Sequence, residues 1–313
     1  MWFWLAIAAM ICWSGSDLFS KIGCRDSDDK NSHLKMATAV GAVMGIHALY
    51  EIFIGGTEIS LEIILKYLPV SALYILSMVI GYVGLRYIEL SVSSPVCNAS
   101  GALVAFASFA MMLFAGEIVW DTVTLLSLGA VLLVCAGVIG LGVVEHLEDD
   151  TLRAARQEQS NYKYAKSFWA LALPVMYCIL DAAGTFADSL VLESFENQGI
   201  SEESANVAYE LTFFAVGLVS FLYLIIVRRA KYKVRREVPK FTGAIFETVG
   251  QFAYIFALAD EDHVMFSAPI ISSYCLFSVL WSRIFLKEKL SFKHYLMIAI
   301  AAIGIVTLGT LDP

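Results

Sequence analysis

Charge is scarce in this chain. Asp, Glu, Lys and Arg make up 16% of its 313 residues, against about 25% in ordinary soluble domains. The apolar set reaches 59%, above the roughly 45–50% of such domains, which excludes a water-soluble globule. Metal-binding and disulfide patterns are missing too. Cys12, Cys24, Cys97, Cys135, Cys178 and Cys275 form neither a CxxC pair nor a spaced framework, and all but Cys24 lie in apolar runs. Free thiols and no metal site are expected. There is no HExxH, no GxSxG elbow and no phosphate-cradling glycine loop, and His33, His47, His146, His263 and His294 are scattered; these absences weigh against an enzyme. The net charge of −8 excludes a general basic surface for nucleic acid.

What is there is a series of long apolar runs. A helix needs about 20 mostly apolar residues to cross a bilayer, so this length holds on the order of ten spans and no sizeable soluble domain. Runs bounded by charge or turn residues fall at 2–20, 34–54, 67–87, 92–114 and 123–144, then at 168–192, 205–227, 241–258, 264–286 and 295–311. The expected architecture is an all-α membrane protein of ten transmembrane helices. The first run has no basic stretch before it and carries Asp17 and Lys21 where a cleavage site would lie, so it reads as a retained helix rather than a signal peptide. Residues 145–166 mix both charge signs, with Leu147, Leu152, Ala154 and Ala155 loosely at helical spacing. They read as a polar amphipathic linker between a first half, 1–144, and a second, 167–313.

Lysine and arginine are retained on the cytoplasmic side of such bundles. Here every one except Lys66 falls on a single face: between spans 1 and 2, at Arg86 after span 3, in the linker, between spans 7 and 8, and around the 9–10 turn. That face is expected to be cytoplasmic in a cell membrane, with both termini outside.

The two halves repeat. An offset of 164 residues pairs Trp4 with Phe168, Ala6 with Ala170, Ala8 with Ala172, Trp13 with Tyr177 and Asp17 with Asp181. In both helices an aromatic residue precedes the aspartate by one turn on the same face. An offset of 174 pairs Ser93-Ser94-Pro95 with Ser267-Ala268-Pro269 and Asn98 with Ser272. Each of these spans opens on a proline, tolerated in a first turn, and closes on an acid, Glu117 or Glu288. Five spans per half is an odd number, so the second copy is upside down. The expected fold is two inverted five-helix repeats around a central cavity, the architecture of secondary transporters.

With these ten spans, two five-helix halves, S-x-P starts and terminal acids, the sequence resembles the EamA type of the drug/metabolite transporter superfamily over nearly its whole length. The second half fits better, from Ala257-Leu258-Ala259 through Ser267-Ala268-Pro269 and Lys287-Glu288 to Gly304. The resemblance implies a ten-helix bundle whose central cavity carries small polar metabolites. Many members have cytoplasmic termini, and the charge distribution here points the other way.

An ionisable side chain in the hydrocarbon costs several kcal/mol unless it faces the bundle interior, a partner or water, so each one is a candidate. They are Asp17, Asp181, Asp188, Glu210 and Glu247, with His47 and Glu51 near the end of span 2. Basic residues at such depth are nearly absent, so the buried interior is acidic. Asp181 is the deepest, about 20 Å into its span at 1.5 Å per residue. Asp17 is within one turn of Lys21 and reads equally as half of a helix-end ion pair. Asp188 nears the interface, and Glu210 stands close to a span end where water exposure is expected. Glu247 shares a helix face with Gln251 and Tyr254, a cavity position. Trp13 beside Asp17 and Tyr177 beside Asp181 add cation–π faces worth roughly 0.5–2 kcal/mol. Tyr82, Asn98 and Tyr274 are available to hydrogen-bond a substrate. Glu117 and Glu288 read as structural, and His47 with Glu51 as a satisfied polar contact rather than a proton relay.

Acids of this kind either exchange protons with a partly dry cavity or pair with a cationic substrate. The expectation is a secondary active transporter working by alternating access, proton-coupled, for cationic or zwitterionic metabolites such as amino acids, amines or quaternary ammonium compounds. An uncoupled facilitator or channel of the same fold and, further off, a membrane-embedded enzyme are the alternatives. The expected partners are a small-molecule substrate, protons and the lipid bilayer, with no cofactor and no nucleic acid, in a monomer or homodimer.

Overall fold

The computed structural model describes residues 2–25, 29–116, 120–147, 167–258, 270–271 and 273–311. Every element among them is helical: α1 (Trp2–Cys24), α2 (Ser32–Tyr50), α3 (Leu61–Gly84), α4 (Leu90–Cys97), α5 (Ser100–Ala115), α6 (Thr122–Leu147), α7 (Ser167–Glu196), α8 (Glu202–Leu222), α9 (Val234–Leu258), α10 (Tyr274–Trp281) and α11 (Phe292–Leu311). Helices α2, α8 and α10 each run on into one widened π turn, at Glu51–Gly55, Tyr223–Val227 and Ser282–Leu286. Glu117, residues 148–166 of the linker, Ser267-Ala268-Pro269 and Ser272 lie outside the described residues.

Helices are what these apolar runs must form, because hydrocarbon offers a backbone N–H no other partner. Where a helix starts near the membrane edge, a serine supplies the missing acceptor. Ser60 Oγ accepts from Ile63 N at 3.2 Å and Ser201 Oγ from Ser204 N at 3.3 Å, both ordinary N-caps. Among the described residues eight helical segments are long and apolar enough to cross a membrane, so the chain is a multi-pass helical membrane protein. Ile46, Ile139, Val219, Ile226 and Ile303 are each more than half exposed, which suits lipid rather than water.

Two expected spans differ in detail. The fourth is not one helix, because α4 and α5 are separated by a turn at Asn98 (φ −72°, ψ −6°). The eighth begins at Val234 rather than near 241. Its first turns carry Arg235, Arg236, Glu237 and Lys240, which read as loop in the sequence but pack as an amphipathic start. Of the ninth span, Tyr274–Leu286 is described as an apolar helix.

The helices pair in a regular way. α1 packs on α9 and α3 on α7; α2 crosses α8, and α6 runs against α11. The α2–α9 contact has its counterpart in α3–α8, and α10 lies on α1 as α4 and α5 lie on α7. Exchanging α1–α6 for α7–α11 in order, with α4 and α5 taken together, turns this set of neighbours into itself. The correspondence reaches single residues. Trp13 lies on Gly250, where a Cβ would come within 2.6 Å of the ring, and Tyr177 lies on Gly81, where it would come within 2.8 Å. Likewise Gly243 faces Ser20, and Gly184 faces Tyr74. The 164-residue offset carries Trp13 to Tyr177 and Ser20 to Gly184, and an offset of 169 carries Gly81 to Gly250 and Tyr74 to Gly243. At the α2–α8 crossing a Cβ on Gly41 would sit 2.9 Å from the Cα of Gly217. Such backbone contact is how apolar helices gain packing energy in lipid.

The end that carries the basic residues is tied together by buried ions. Lys35 Nζ donates to Asp29 Oδ2 (2.7 Å), Glu237 Oε1 (3.2 Å) and the Lys231 carbonyl (2.9 Å), and the Tyr232 ring lies 4.9 Å away. Lys240 Nζ is 3.1 Å from Glu237 Oε2. Arg86 donates to the carbonyls of Asp29 (3.0 Å) and Lys30 (2.7 Å) and to Ser32 Oγ (3.1 Å). Burial works to raise the Asp29 carboxyl, but its bond to the Lys35 ammonium more than offsets this and holds it below the ordinary 3.8. Glu288 is 1% exposed and reaches from the turn before α11 to the start of α4. Its Oε1 accepts from Leu90 N (3.1 Å), and its Oε2 from Ser91 N (3.0 Å) and Ser91 Oγ (2.9 Å). A carboxylate there meets the positive end of the helix.

Removing that cap is the sharpest test of the fold. Glu288→Ala should lower stability by about 2 kcal/mol, because it orphans buried donors as well as removing a cap, read as a loss of Tm in detergent. A carboxyl depressed in the folded protein adds stability above its unfolded pKa and loses it as pH falls through the folded value. Asp29→Asn should therefore lower Tm by a constant amount from pH 5 to 8, and the gap from the native protein should narrow only below about pH 4.

Candidate functional site

Within the apolar sequence of α1 the stretch Ser14-Gly15-Ser16-Asp17 is small and polar, and it brings α1 close to its neighbours. Asp17 Oδ2 accepts two short hydrogen bonds, from Ser94 Oγ on α4 and Ser278 Oγ on α10, each 2.6 Å. One carboxylate thus joins three helices drawn from both halves. Hydrogen bonds to a charged group are worth about 1.5–3 kcal/mol each. Lys21 points elsewhere. Fully buried, it donates to the carbonyls of Leu85 (2.6 Å) and Ile88 (2.5 Å) in the turn that follows α3. The reading of Asp17 as an ion-pair partner of Lys21 therefore gives way to a serine-bound carboxylate.

Two further acids converge on the same region. Asp181 on α7 takes a hydrogen bond from Ser100 at the start of α5, just past the turn at Asn98. Glu247 on α9 takes one from Ser16. Glu247 also lies within electrostatic reach of both Asp17 and Asp181. Among the described residues, the groups acting on these three carboxylates are serine hydroxyls and one another.

Aromatic rings lie around these acids. Trp13 stands 5.1 Å from Tyr254 and 5.7 Å, edge-on, from Tyr274. The Trp13 indole N–H is buried without an acceptor. Tyr177 faces Asp181, Tyr274 and Glu247, and Tyr82 faces Glu247 and Asp17. Asn98, in the α4–α5 turn, hydrogen-bonds the Cys275 thiol. Asp17, Asp181, Glu247, Trp13, Tyr82, Tyr177, Tyr254 and Tyr274 thus belong to one constellation contributed by α1, α3, α7, α9 and α10.

The remaining candidates stand apart. Asp188 accepts from Tyr67 Oη at 2.6 Å and Tyr74 Oη at 3.4 Å and fastens α7 to α3. Tyr74 lies within reach of Asp181 as well, so the two aspartates share a neighbour. Glu210 is not at a wet helix end. It is 1% exposed, because α8 begins at Glu202 and packs on α2, whose His47 covers the carboxylate with Nδ1 2.9 Å from each oxygen. Gln251 turns to Asn206, Nε2 to Oδ1 at 2.5 Å.

Sequence reasoning missed Ser16, Ser94, Ser100 and Ser278, which hold the acids. Their hydroxyls on apolar helices were visible, but which acid each meets depends on tertiary contact. Tyr209 was missed as well; its ring lies 6.1 Å from Tyr74, within reach of Glu247 and Asp181.

Residues 199–310, from the turn before α8 to α11, match the model of the EamA-like transporter family, part of the drug/metabolite transporter superfamily. The match covers Glu210, Glu247, Gln251, Tyr254 and Tyr274 and supports the assignment to that superfamily. No curated protein matches the chain.

The glycines beneath the two aromatic rings offer a test of this geometry. Gly250→Ala and Gly81→Ala should each displace the overlying ring, Trp13 or Tyr177, and lower stability by about 1–3 kcal/mol. Thermal unfolding checks both, and for Gly250→Ala a shift in tryptophan emission accompanies it.

Proposed function

We propose that this EamA-like chain is a secondary active transporter that binds cationic or zwitterionic small metabolites, such as amino acids, amines or quaternary ammonium compounds, and couples their movement to protons. The observation that carries this reading is the convergence of Asp17, Asp181 and Glu247 from three helices among these aromatic rings, with hydroxyls and each other for company. A buried charge without a partner costs several kcal/mol. The missing complement is a positive group, either a substrate ammonium stacked on the tyrosine and tryptophan faces or a proton. Because both neutralise the same carboxylates, one displaces the other, and competition of that kind couples two fluxes.

The recurrence of the α1–α9 contacts at α3–α7 supports two inverted five-span repeats. Two such repeats exchange conformations and so open a central site to either side in turn. We read the present conformation as closed at the basic end, where Lys35, Asp29, Glu237 and Lys240 join α2 to α9. The charge bias makes that end cytoplasmic and leaves the termini outside.

A thermal-shift screen of the purified protein against amines, amino acids and nucleosides is expected to yield stabilising ligands, since binding to the folded state raises Tm by mass action. In proteoliposomes holding a pH-sensitive dye, the same ligand should dissipate an imposed proton gradient. Asp181→Asn should reduce that dissipation at least tenfold. Unchanged rate and pH dependence in Asp181→Asn would defeat the coupling assignment; ligand flux without protons would point to a facilitator, and a chemically altered product to an enzyme.

A further inference from the structure

We propose that His47 and Glu210 form a proton-binding site of their own outside the chamber, and that Asn206 and Gln251 report its state to the Glu247 face of α9. The inference rests on the transporter reading and deepens it by naming where the coupled proton enters. It also reverses the sequence-based view of His47 as a merely satisfied contact.

The imidazole stands between two carboxylates of unlike surroundings. Its Nδ1 lies 2.9 Å from both oxygens of Glu210, which is sealed between α8 and α2 at 1% exposure. Its Nε2 lies 3.7 Å from Oε1 of Glu51, whose side chain is 19% exposed in the π turn that ends α2. The other groups around the ring are Tyr50 on the same helix and Phe252 on α9, with ring centroids 6.5 and 5.8 Å away. Glu210 from α8 and Glu51 from the end of α2 are the charged groups that act on His47.

On the chamber side the polar contacts continue. Gln251 Nε2 donates to Asn206 Oδ1, which leaves the Asn206 amide N–H to donate to Glu210. Every donor in this ladder therefore points toward the Glu210 carboxylate. Gln251 stands one turn beyond Glu247 on α9.

The transfer balances within the pair. A proton arriving by way of Glu51 binds Nε2 of the neutral imidazole. The Nδ1–H bond then breaks as that proton forms an O–H bond on Glu210, leaving the imidazole neutral in its other tautomer. Protonated Glu210 is a weaker acceptor for Asn206, so the ladder slackens and frees Gln251 toward Glu247. Proton loss along the reverse path restores it. Holding α2 to α8 would need neither a second carboxylate on the outer nitrogen nor an amide ladder behind the inner one.

The test counts protons. Purified protein in weak buffer is stepped from pH 8 to pH 5.5, and uptake is read with an indicator dye. The paired change His47→Asn with Glu210→Gln should take up about one proton fewer than the native chain, while Glu210→Asp should retain it. If His47→Asn does not fold, His47→Gln takes its place. Gln251→Leu, which cuts the ladder but spares the pair, should keep the count and shift the midpoint of uptake. An unchanged count in the paired variant overturns the site, and an unchanged midpoint in Gln251→Leu overturns the ladder. The transporter reading is judged separately by the ligand-induced thermal shifts of the native chain, so its failure is not mistaken for failure of the proton site.

Discussion

Hydrocarbon has no hydrogen bonds to offer, so each polar group carried into the membrane must find its partner within the protein. That constraint explains the structure at every scale. At the backbone it leaves helices, with serines at Ser60 and Ser201 completing exposed first turns. Among side chains it sends the Lys21 ammonium to carbonyls of the turn that follows α3 and the Glu288 carboxylate to the first N–H groups of α4. Glu288 thereby satisfies two ends at once, a charge and a helix terminus. Asp17, Asp181 and Glu247 are the exception. Among the described residues serines give them hydrogen bonds but no opposite charge, which is the requirement the proposed cation or proton would meet.

The same constraint removes the usual reason for helices to associate, since lipid is as apolar as leucine. What remains is close packing, and it requires small residues where helices cross. Gly41 and Gly217 bring α2 and α8 into backbone contact, while Gly250 and Gly81 make room for Trp13 and Tyr177. At those last two positions packing and chemistry coincide. The glycine that lets α9 approach α1 also seats the ring beside Asp17, and the glycine that lets α3 approach α7 seats the ring beside Asp181. A side chain there would disturb fold and chamber together.

How far the sequence could be read follows from the dimension of each signal. Apolar runs and fixed offsets are one-dimensional, so the membrane-length helices among the described residues and the recurrence of Asp17 at Asp181 were legible without coordinates. The break at Asn98 was not, because the run from 92 to 114 is apolar throughout and Pro95 is compatible with a first turn. The early start of α9 was hidden because Arg235, Arg236, Glu237 and Lys240 look like loop until Glu237 is seen to meet Lys35 and Lys240 to lie on Gly23 of α1. The site was half legible. Acids and aromatics announced themselves by type, but partners such as Glu210 and His47 lie 163 residues apart, and no local pattern links them. For Glu210 distance along the helix misled, since depth in a bundle depends on what the neighbouring helix covers.

The departures from symmetry matter more than the symmetry. The offset that carries Gly81 to Gly250 carries Met78 to Glu247 and Tyr82 to Gln251, and the offset of 176 that carries Gly41 to Gly217 carries Leu34 to Glu210 and His47 to Tyr223. An aspartate recurs in both halves, yet the third acid and the imidazole–carboxylate pair have as counterparts Met78, Leu34 and Tyr223, neither carboxylates nor an imidazole. A ligand shifts a conformational equilibrium only by its differential affinity for the two states. Two identical halves would bind a proton equally in both orientations and bias neither. If the halves exchange conformations as proposed, Glu247, His47 and Glu210 stand on one side of the exchange only, so a proton bound there would favour one conformation over its mirror.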